Sequence, residues 1–288
     1  MIASSAIPDV EKLATLIGTS RRGAPTVIET GQNNRVFDFG DMIVRVPRHA
    51  AAQAALCREA QLLERLRVQL PIAVPAVAIR DVDGLKLAVH RRLPGQPIES
   101  AADLGAAEQA SLARDLAHFL QHLHGLPLAV LGHDAAPPNP ARTWHDLFQR
   151  VALSIFPRVS TVTARRIRYD FERFLGRIDD LPIVVIHGDF GTGNILVDGA
   201  TVTGIIDFSG CDAGDPAYDF ASLAAGLGKP FVRQLQPHYP DLSAMWNRLD
   251  FYMSTFALLD VLFGLDHDDD AALQAGLTAI NSAPGGHR

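Results

Sequence analysis

Cysteine is the first scarcity: the chain has two in 288 residues. Cys57 and Cys211 cannot build a disulfide framework, so a reducing, cytoplasmic setting is the default expectation. A basic leader is lacking too. MIASSAIPDVEKL has no positively charged start followed by a long apolar stretch, which argues against a secretory signal. No apolar run approaches the roughly 20 residues of a membrane span, and the stretch 70–79 is broken by Pro71 and Pro75. There is no basic stripe either. With 26 Lys+Arg against 32 Asp+Glu the net charge is −6, and nucleic acid is not an expected partner.

What is present is a core. Hydrophobic residues make up 48% of the chain, enough to fill one large domain or two modest ones. Charge is divided unevenly along it. Residues 1–97 hold 13 Lys+Arg against 9 Asp+Glu, while 98–288 hold 13 against 23. A basic front half suits a polyphosphate, and an acidic back half favours a cationic second substrate. A plain solubilising acidic surface would give the same count.

The most informative stretch is 183–208, IVVIHGDFGTGNILVDGATVTGIIDF. Ile183–Ile186 reads as a short buried strand that delivers His187-Gly188-Asp189 to a loop. Asn194 follows, then a second run, Ile195–Val197, and an Asp198-Gly199 turn that signals a hairpin. The return run, Val202–Ile206, ends on Asp207-Phe208. An acid before the hairpin, an amide at its start and an acid at its end therefore converge. Oxygen ligands of this kind suit Mg²⁺. In phosphoryl transfer an acid beside the metal orients the attacking hydroxyl. Asp189 is the candidate base, and Asn194 and Asp207 are the candidate metal ligands.

This spacing resembles the catalytic and metal-binding loops of kinases. With His-Gly-Asp at the start, the chain resembles the aminoglycoside phosphotransferase family, the small-molecule branch of the kinase-like fold. The resemblance runs from about residue 25 to about 265 and is most specific over 183–221. It implies an α+β, bilobal protein-kinase-like fold, with a small N-terminal antiparallel sheet lobe and a larger, mostly helical C-terminal lobe. The nucleotide lobe is expected over 1–93 and the catalytic and substrate-binding lobe over 94–288.

The front half is consistent with that layout. Strand signals around 25–30, 35–39 and 42–46 surround a polar turn at Gly31-Gln32-Asn33-Asn34, where a lid over phosphates would sit. Arg45 shares a strand face with Ile43, opposite Val44 and Val46. In the family pattern its position belongs to a lysine that holds the α- and β-phosphates, and Arg keeps that charge. Residues 49–68 read as a helix with Ala52, Leu56, Ala60, Leu63 and Leu66 on one face. Glu59 lies beside that face and is the expected partner of Arg45; Glu64, between other charges, is the competitor. After a strand over 85–90, His90-Arg91-Arg92-Leu93-Pro94-Gly95-Gln96-Pro97 is the boundary. The resemblance makes 89–93 the connector that receives the nucleobase, with His90 and Arg92 at it.

The back half reads as helices over 106–123, 143–155 and 161–178, then 219–227, 229–236, 241–264 and 270–281. His118 and His122 lie four apart on the first, without a third ligand for zinc. Proline-rich 127–140 reads as a loop near the substrate cleft. In Gly214-Asp215-Pro216-Ala217-Tyr218-Asp219, Asp215 is a helix cap, with proline at the first helical position. The resemblance makes Asp219 the brace of the catalytic loop, and His187 a support of its geometry. Cys211 reads as a small packed side chain. Asp260, Asp266, Asp268, Asp269 and Asp270 are either contacts for a drug's ammonium groups or a solvated loop.

The implied activity is Mg²⁺-dependent transfer of the γ-phosphate of ATP or GTP to a hydroxyl of a small molecule. An aminoglycoside-type or other antibiotic leads as acceptor, and the protein is expected to act as a monomer. A metabolic kinase for an amino alcohol or sugar is the alternative. A nucleotide-binding module with little catalysis is a third reading, disfavoured because Asp189, Asn194 and Asp207 are all present.

Overall fold

Two valines and an isoleucine explain why Met42–Pro47 is a central strand. Val44 and Val46 are fully buried on one face, while Ile43 and Arg45 look the other way. β-Branched side chains favour that pleated, half-buried setting. The computed structural model describes residues 9–18, 24–28, 33–132 and 140–282. Gly31 and Gln32 of the polar turn, 133–139 of the proline-rich stretch and the tail 283–288 lie outside the described residues.

Helix α1 (Val10–Ile17) is followed by β1 (Thr26–Ile28), β2 (Asn34–Asp38) and β3 (Met42–Pro47), then α2 (Ala50–Leu66), β4 (Ala78–Val82) and β5 (Leu85–Arg91). The five strands form one antiparallel sheet in the order β1-β2-β3-β5-β4. Its inner face packs Phe37, Val44, Val46, Leu85, Leu87 and Val89 with Leu13 of α1. α2 starts under a cap from His49, whose Nδ1 accepts from the Ala52 N–H at 3.1 Å. Its lower leucines, Leu62, Leu63 and Leu66, join a second, larger core built from the helical part.

The helical part comprises α3 (Ala106–His124), α4 (Pro140–Ser154), α5 (Thr161–Leu175), α6 (Ala217–Arg233), α7 (Trp246–His267) and α8 (Asp270–Ser282). α3 buries Leu112, Leu116, Phe119, Leu120 and Leu123 on one stripe. α6 is broken inside its span at Gly228, φ 80° and ψ 153°, with Pro230 just beyond. The two helices read from the sequence at 219–227 and 229–236 are its two halves.

Four short strands carry the site. β7 (Val184–Ile186) pairs antiparallel with β10 (Asp212–Gly214), and β8 (Ile195–Asp198) forms a hairpin with β9 (Thr201–Ile205). β6 (Gln96–Pro97) adds to β8, so the connector after β5 is tied directly to the hairpin. Thr203 Oγ1 donates to the Pro94 carbonyl at 2.7 Å. Leu93 packs against Gly204, where a Cβ would stand 2.8 Å from Leu93 Cδ1. The kinase-like, two-part layout expected from the sequence is the one observed.

Candidate active site

β7 ends on Ile186 and hands the chain to His187, which is fully buried. Its Nε2 N–H donates to the Ile206 carbonyl at 3.1 Å, and its Nδ1 accepts from the Asp189 N–H at 3.3 Å. Those two bonds fix a neutral ring. Burial pushes its pKa below the ordinary histidine value, against the opposing pull of Asp219, Asp189 and Asp207. Asp219, fully buried at the start of α6, receives the His187 N–H at 2.8 Å on one oxygen and the Gly188 N–H at 2.9 Å on the other. A chain of contacts continues behind it. His124 Nε2 lies 3.1 Å from the same Asp219 carboxylate, and His124 Nδ1 lies 3.0 Å from the Tyr239 hydroxyl.

Asp189 sits at the mouth of this loop, where burial raises its pKa above the usual carboxylate range; His187 and the Asn194 hydrogen bond work the other way. Phe190, fully buried and stacked on Phe119 at 5.7 Å, pins the chain just after it. Asn194 Nδ2 donates to the Asp189 main-chain oxygen and to its carboxylate, both at 2.9 Å. The hairpin register then sets the third oxygen ligand. Ile195 stands opposite Ile205, and the Ile206 N–H donates to the Asn194 carbonyl at 2.9 Å, which brings Asp207 beside Asn194. Asp207 adopts a left-handed backbone, φ 61°, and turns the chain into the 3-10 turn Phe208–Gly210.

From the sheet side, Arg45 donates through Nη1 to Glu59 Oε1 at 2.8 Å, and its Nη2 lies 3.8 Å from Asp207. Burial opposes its charge, but Glu59 and Asp207 outweigh that and hold its pKa above the ordinary value. Glu64 is exposed, so the arginine's partner on α2 is Glu59. The same Glu59 oxygen accepts the Phe208 N–H at 3.2 Å, joining α2 to the turn after Asp207. Its other oxygen, Oε2, is buried with no hydrogen-bond partner.

The remaining sheet residues are more spread out. His90 lies opposite Ile43, with Nδ1 2.8 Å from the Arg91 carbonyl, and burial lowers its pKa. Arg92 pairs with Asp38 at 3.2 Å, and its N–H donates to the Asp41 carbonyl at 2.9 Å. Asn33 accepts the Arg48 N–H through its carbonyl at 2.9 Å, and Asn34 begins β2 with Oδ1 buried and unpartnered.

On the far side of the Gly188 and Gly210 loops lies a cavity of about 330 Å³. Trp144 and Leu147 of α4, Tyr218 of α6 and Tyr252 of α7 form much of its wall. Gly188, the residue before Asp189, lines the cavity as well, and burial raises the Tyr218 hydroxyl to about 12, with the charge of Asp189 adding to that. Asp215, on the wall, accepts from the Ala217 N–H at 3.0 Å, from Arg248 at 2.7 and 3.2 Å, and from the Tyr252 hydroxyl at 3.0 Å. Two of the five C-terminal acids have side-chain partners of their own. Asp266 is paired with Arg150 at 2.8 Å, Asp269 receives the Ala272 N–H at 3.0 Å, and Asp268 closes α7 with φ 53°.

Sequence reasoning missed His124, Tyr239, Arg248 and Tyr252. Asp219 and His124 are 95 residues apart and Asp215 and Arg248 33 apart, so no local spacing signals them. Burial of Asp215 and Asp219 did carry one clue: a buried carboxylate must find donors.

The chain is similar to several known phosphotransferases. A viomycin phosphotransferase from Streptomyces vinaceus is 27% identical over 265 residues, covering 87% of this chain and 91% of the relative. The structure of a wild-type aminoglycoside 2'-phosphotransferase-IIIa in complex with GDP superposes with a TM-score of 0.85 at 22% identity, covering 93% of this chain and 95% of that one. A macrolide 2'-phosphotransferase type I gives a TM-score of 0.71 at 25% identity, over 93% and 94% of the two chains. The profile of the phosphotransferase enzyme family matches residues 25–252, and the chain belongs to that family.

Proposed function

We propose that this phosphotransferase moves the γ-phosphate of ATP or GTP to a hydroxyl of a small-molecule antibiotic, with Asp189 as the group that orients the hydroxyl and accepts its proton. The observation that carries the reading is the set of three oxygen side chains that the loop and hairpin bring together: Asp189, Asn194 held against it at 2.9 Å, and Asp207 one residue past the Ile206–Asn194 main-chain bond. The relatives in hand include phosphotransferases named for viomycin, an aminoglycoside and a macrolide, and one is a complex with GDP.

The reading divides the chain into a nucleotide lobe, 1–93, and a catalytic lobe, 94–288. Arg45, oriented by Glu59, takes the nucleotide phosphates; Asn33 and Asn34 lie at the edge that covers them. The main chain of 89–93, with His90 and Arg92, meets the base. Asn194 uses its amide nitrogen on Asp189, which leaves Oδ1 as an oxygen donor beside the Asp207 carboxylate. An amide oxygen and a carboxylate are the hard donors that suit Mg²⁺, and when bound the ion neutralises charge on the β- and γ-phosphates. His187 and Asp219 hold the loop and do not transfer protons.

Balance is simple. The acceptor oxygen forms a bond to the γ-phosphorus, the bond to the β-bridging oxygen breaks, and the hydroxyl proton passes to Asp189. Asp189→Asn keeps the shape of the side chain but removes the base. Turnover is expected to fall by about 10³-fold, within the range of acid–base effects, with the affinity for nucleotide changed less than threefold. Titration of both proteins with a fluorescent nucleotide, beside steady-state transfer, checks this. Wild-type turnover in Asp189→Asn would sink the assignment.

A further inference from the structure

Helix α6 touches the loop from His187 to Asn194 at both ends, and the two contacts differ in kind. Asp219 receives the His187 and Gly188 N–H groups at 2.8 and 2.9 Å, at the start of the loop. Seven residues on, two turns along the same face of the helix, Gly226 meets the far end. A Cβ on Gly226 would stand 2.4 Å from Thr192 Cγ2, 3.0 Å from Thr192 Oγ1 and 3.3 Å from Thr192 Cβ. Thr192 opens the 3-10 turn Thr192–Asn194. Rotating the threonine side chain moves its γ atoms but leaves its Cβ inside ordinary contact, so rotation alone does not make room.

The backbone does not ask for glycine at 226. It lies in regular helix, and the left-handed break of α6 comes two residues later, at Gly228. In such a position glycine is a weaker helix residue than alanine. The neighbour asks for it instead. The turn is also closed tightly enough to pass a displacement on: the Asn194 N–H donates to the Gly191 carbonyl at 3.0 Å, and the Ile195 N–H donates to the Thr192 carbonyl. A side chain at 226 would drive Thr192 back by about 1 Å to reach ordinary contact, which exceeds the ~0.5 Å within which ligand geometry must be held.

We infer, on the reading that Asn194 is a metal ligand, that Gly226 is a positioning residue for the metal side of the site. The bare face of α6 lets Thr192 sit against the helix and so keeps Asn194 beside Asp207. Asp219 sets the Asp189 end of the loop, and Gly226 sets the Asn194 end.

The test uses Mn²⁺ as a probe that accepts the same oxygen donors as Mg²⁺. It is titrated into protein saturated with ADP, and separately with GDP, and binding is followed by loss of the free-ion EPR signal, with nucleotide alone as the baseline. Gly226→Ala is expected to weaken Mn²⁺ binding about tenfold, within the range for residues that orient a metal ligand. Nucleotide affinity in EDTA should stay within about twofold, and the thermal midpoint should hold or rise, because alanine is the better helix residue. Adding Thr192→Ala removes both γ atoms and is expected to return Mn²⁺ affinity to within about threefold of wild type; Thr192→Ala alone closes the cycle. Asn194→Ala is the reference for loss of the ligand itself. Unchanged Mn²⁺ binding in Gly226→Ala, beside a loss in Asn194→Ala, overturns the inference and leaves the ligand reading standing. Unchanged binding in both rejects the ligand reading as well. A loss that Thr192→Ala does not relieve, or a Gly226→Ala protein that fails to fold, also overturns the inference, because the Thr192 contact is then not what carries the effect.

Discussion

Gly188 is where one missing atom decides the site. Its φ is 78°, a region L side chains rarely adopt, and a Cβ there would stand 2.1 Å from the Gly210 carbonyl oxygen. The obstacle is main chain on both sides, so no side-chain rotation relieves it. Gly188→Ala is therefore expected to cost more than the ~1–2 kcal/mol of a left-handed backbone alone, about 3 kcal/mol or more, and to separate the Asp189 loop from the Asp207 turn. Gly199, at φ 60° with open space around it, is the control. Gly199→Ala should cost only about 1 kcal/mol and leave transfer intact. Urea unfolding of both variants measures the difference, and equal losses would mean that the Gly210 contact is unimportant.

At the scale of elements, α6 and α7 are joined at a buried carboxylate. Asp215 is 4% exposed and accepts from Arg248 and Tyr252 of α7 while capping the first turn of α6. Arg248→Met leaves that charge short of its cation. The arginine is partly exposed, so the loss is set below the ~3–5 kcal/mol of a fully buried pair, at about 2 kcal/mol. A second change, Asp215→Asn, should return part of it, because the uncompensated charge is then gone. Thermal unfolding of the single and double variants reads this, and strictly additive losses would contradict the coupling.

The same elements show what sequence made visible. α2, α3 and the broken α6 follow from helix formers, an apolar stripe and a Gly-Lys-Pro interruption, each local. The Asp189–Asn194–Asp207 order was readable because a hairpin with a two-residue turn brings its ends together by itself. β6 and β10 were not read as strands. At two and three residues they exist only because β8 and β7 offer them hydrogen bonds. The C-terminal acids were left open between ligand contacts and solvated turns; of these, Asp266 pairs with Arg150 across α7 and α4, and Asp269 receives a main-chain N–H. What fixes Asp219 from behind, His124 and Tyr239, arrives through tertiary packing and left no periodic trace.

For the whole molecule, the net charge of −6 says less about acid stability than two buried rings do. His187 and His90 both have pKa values lowered from 6.5 by burial, so the folded state binds fewer protons than the unfolded chain as pH falls through that value. Stability then rises with pH in this window and declines on acidification below about 6.5, by up to ~1.4 kcal/mol per pH unit for each ring that stays neutral. His187→Asn should lower stability at every pH and also flatten the slope between about pH 5 and 6.5. Urea midpoints across that range provide the check. A slope unchanged by the substitution would show that the ring is not held neutral.

The site has two walls made in different ways. The loops that carry Asp189, Asn194 and Asp207 are set by main-chain bonds and by glycine-to-carbonyl contact. The opposite wall is set by side chains of α4 and α7. A change at Leu147 or Thr143 therefore alters the wall without touching the main chain that carries Asp189. What fits beside the loop can then shift by a few codons in one helix, while the loops that carry Asp189, Asn194 and Asp207 stay as they are.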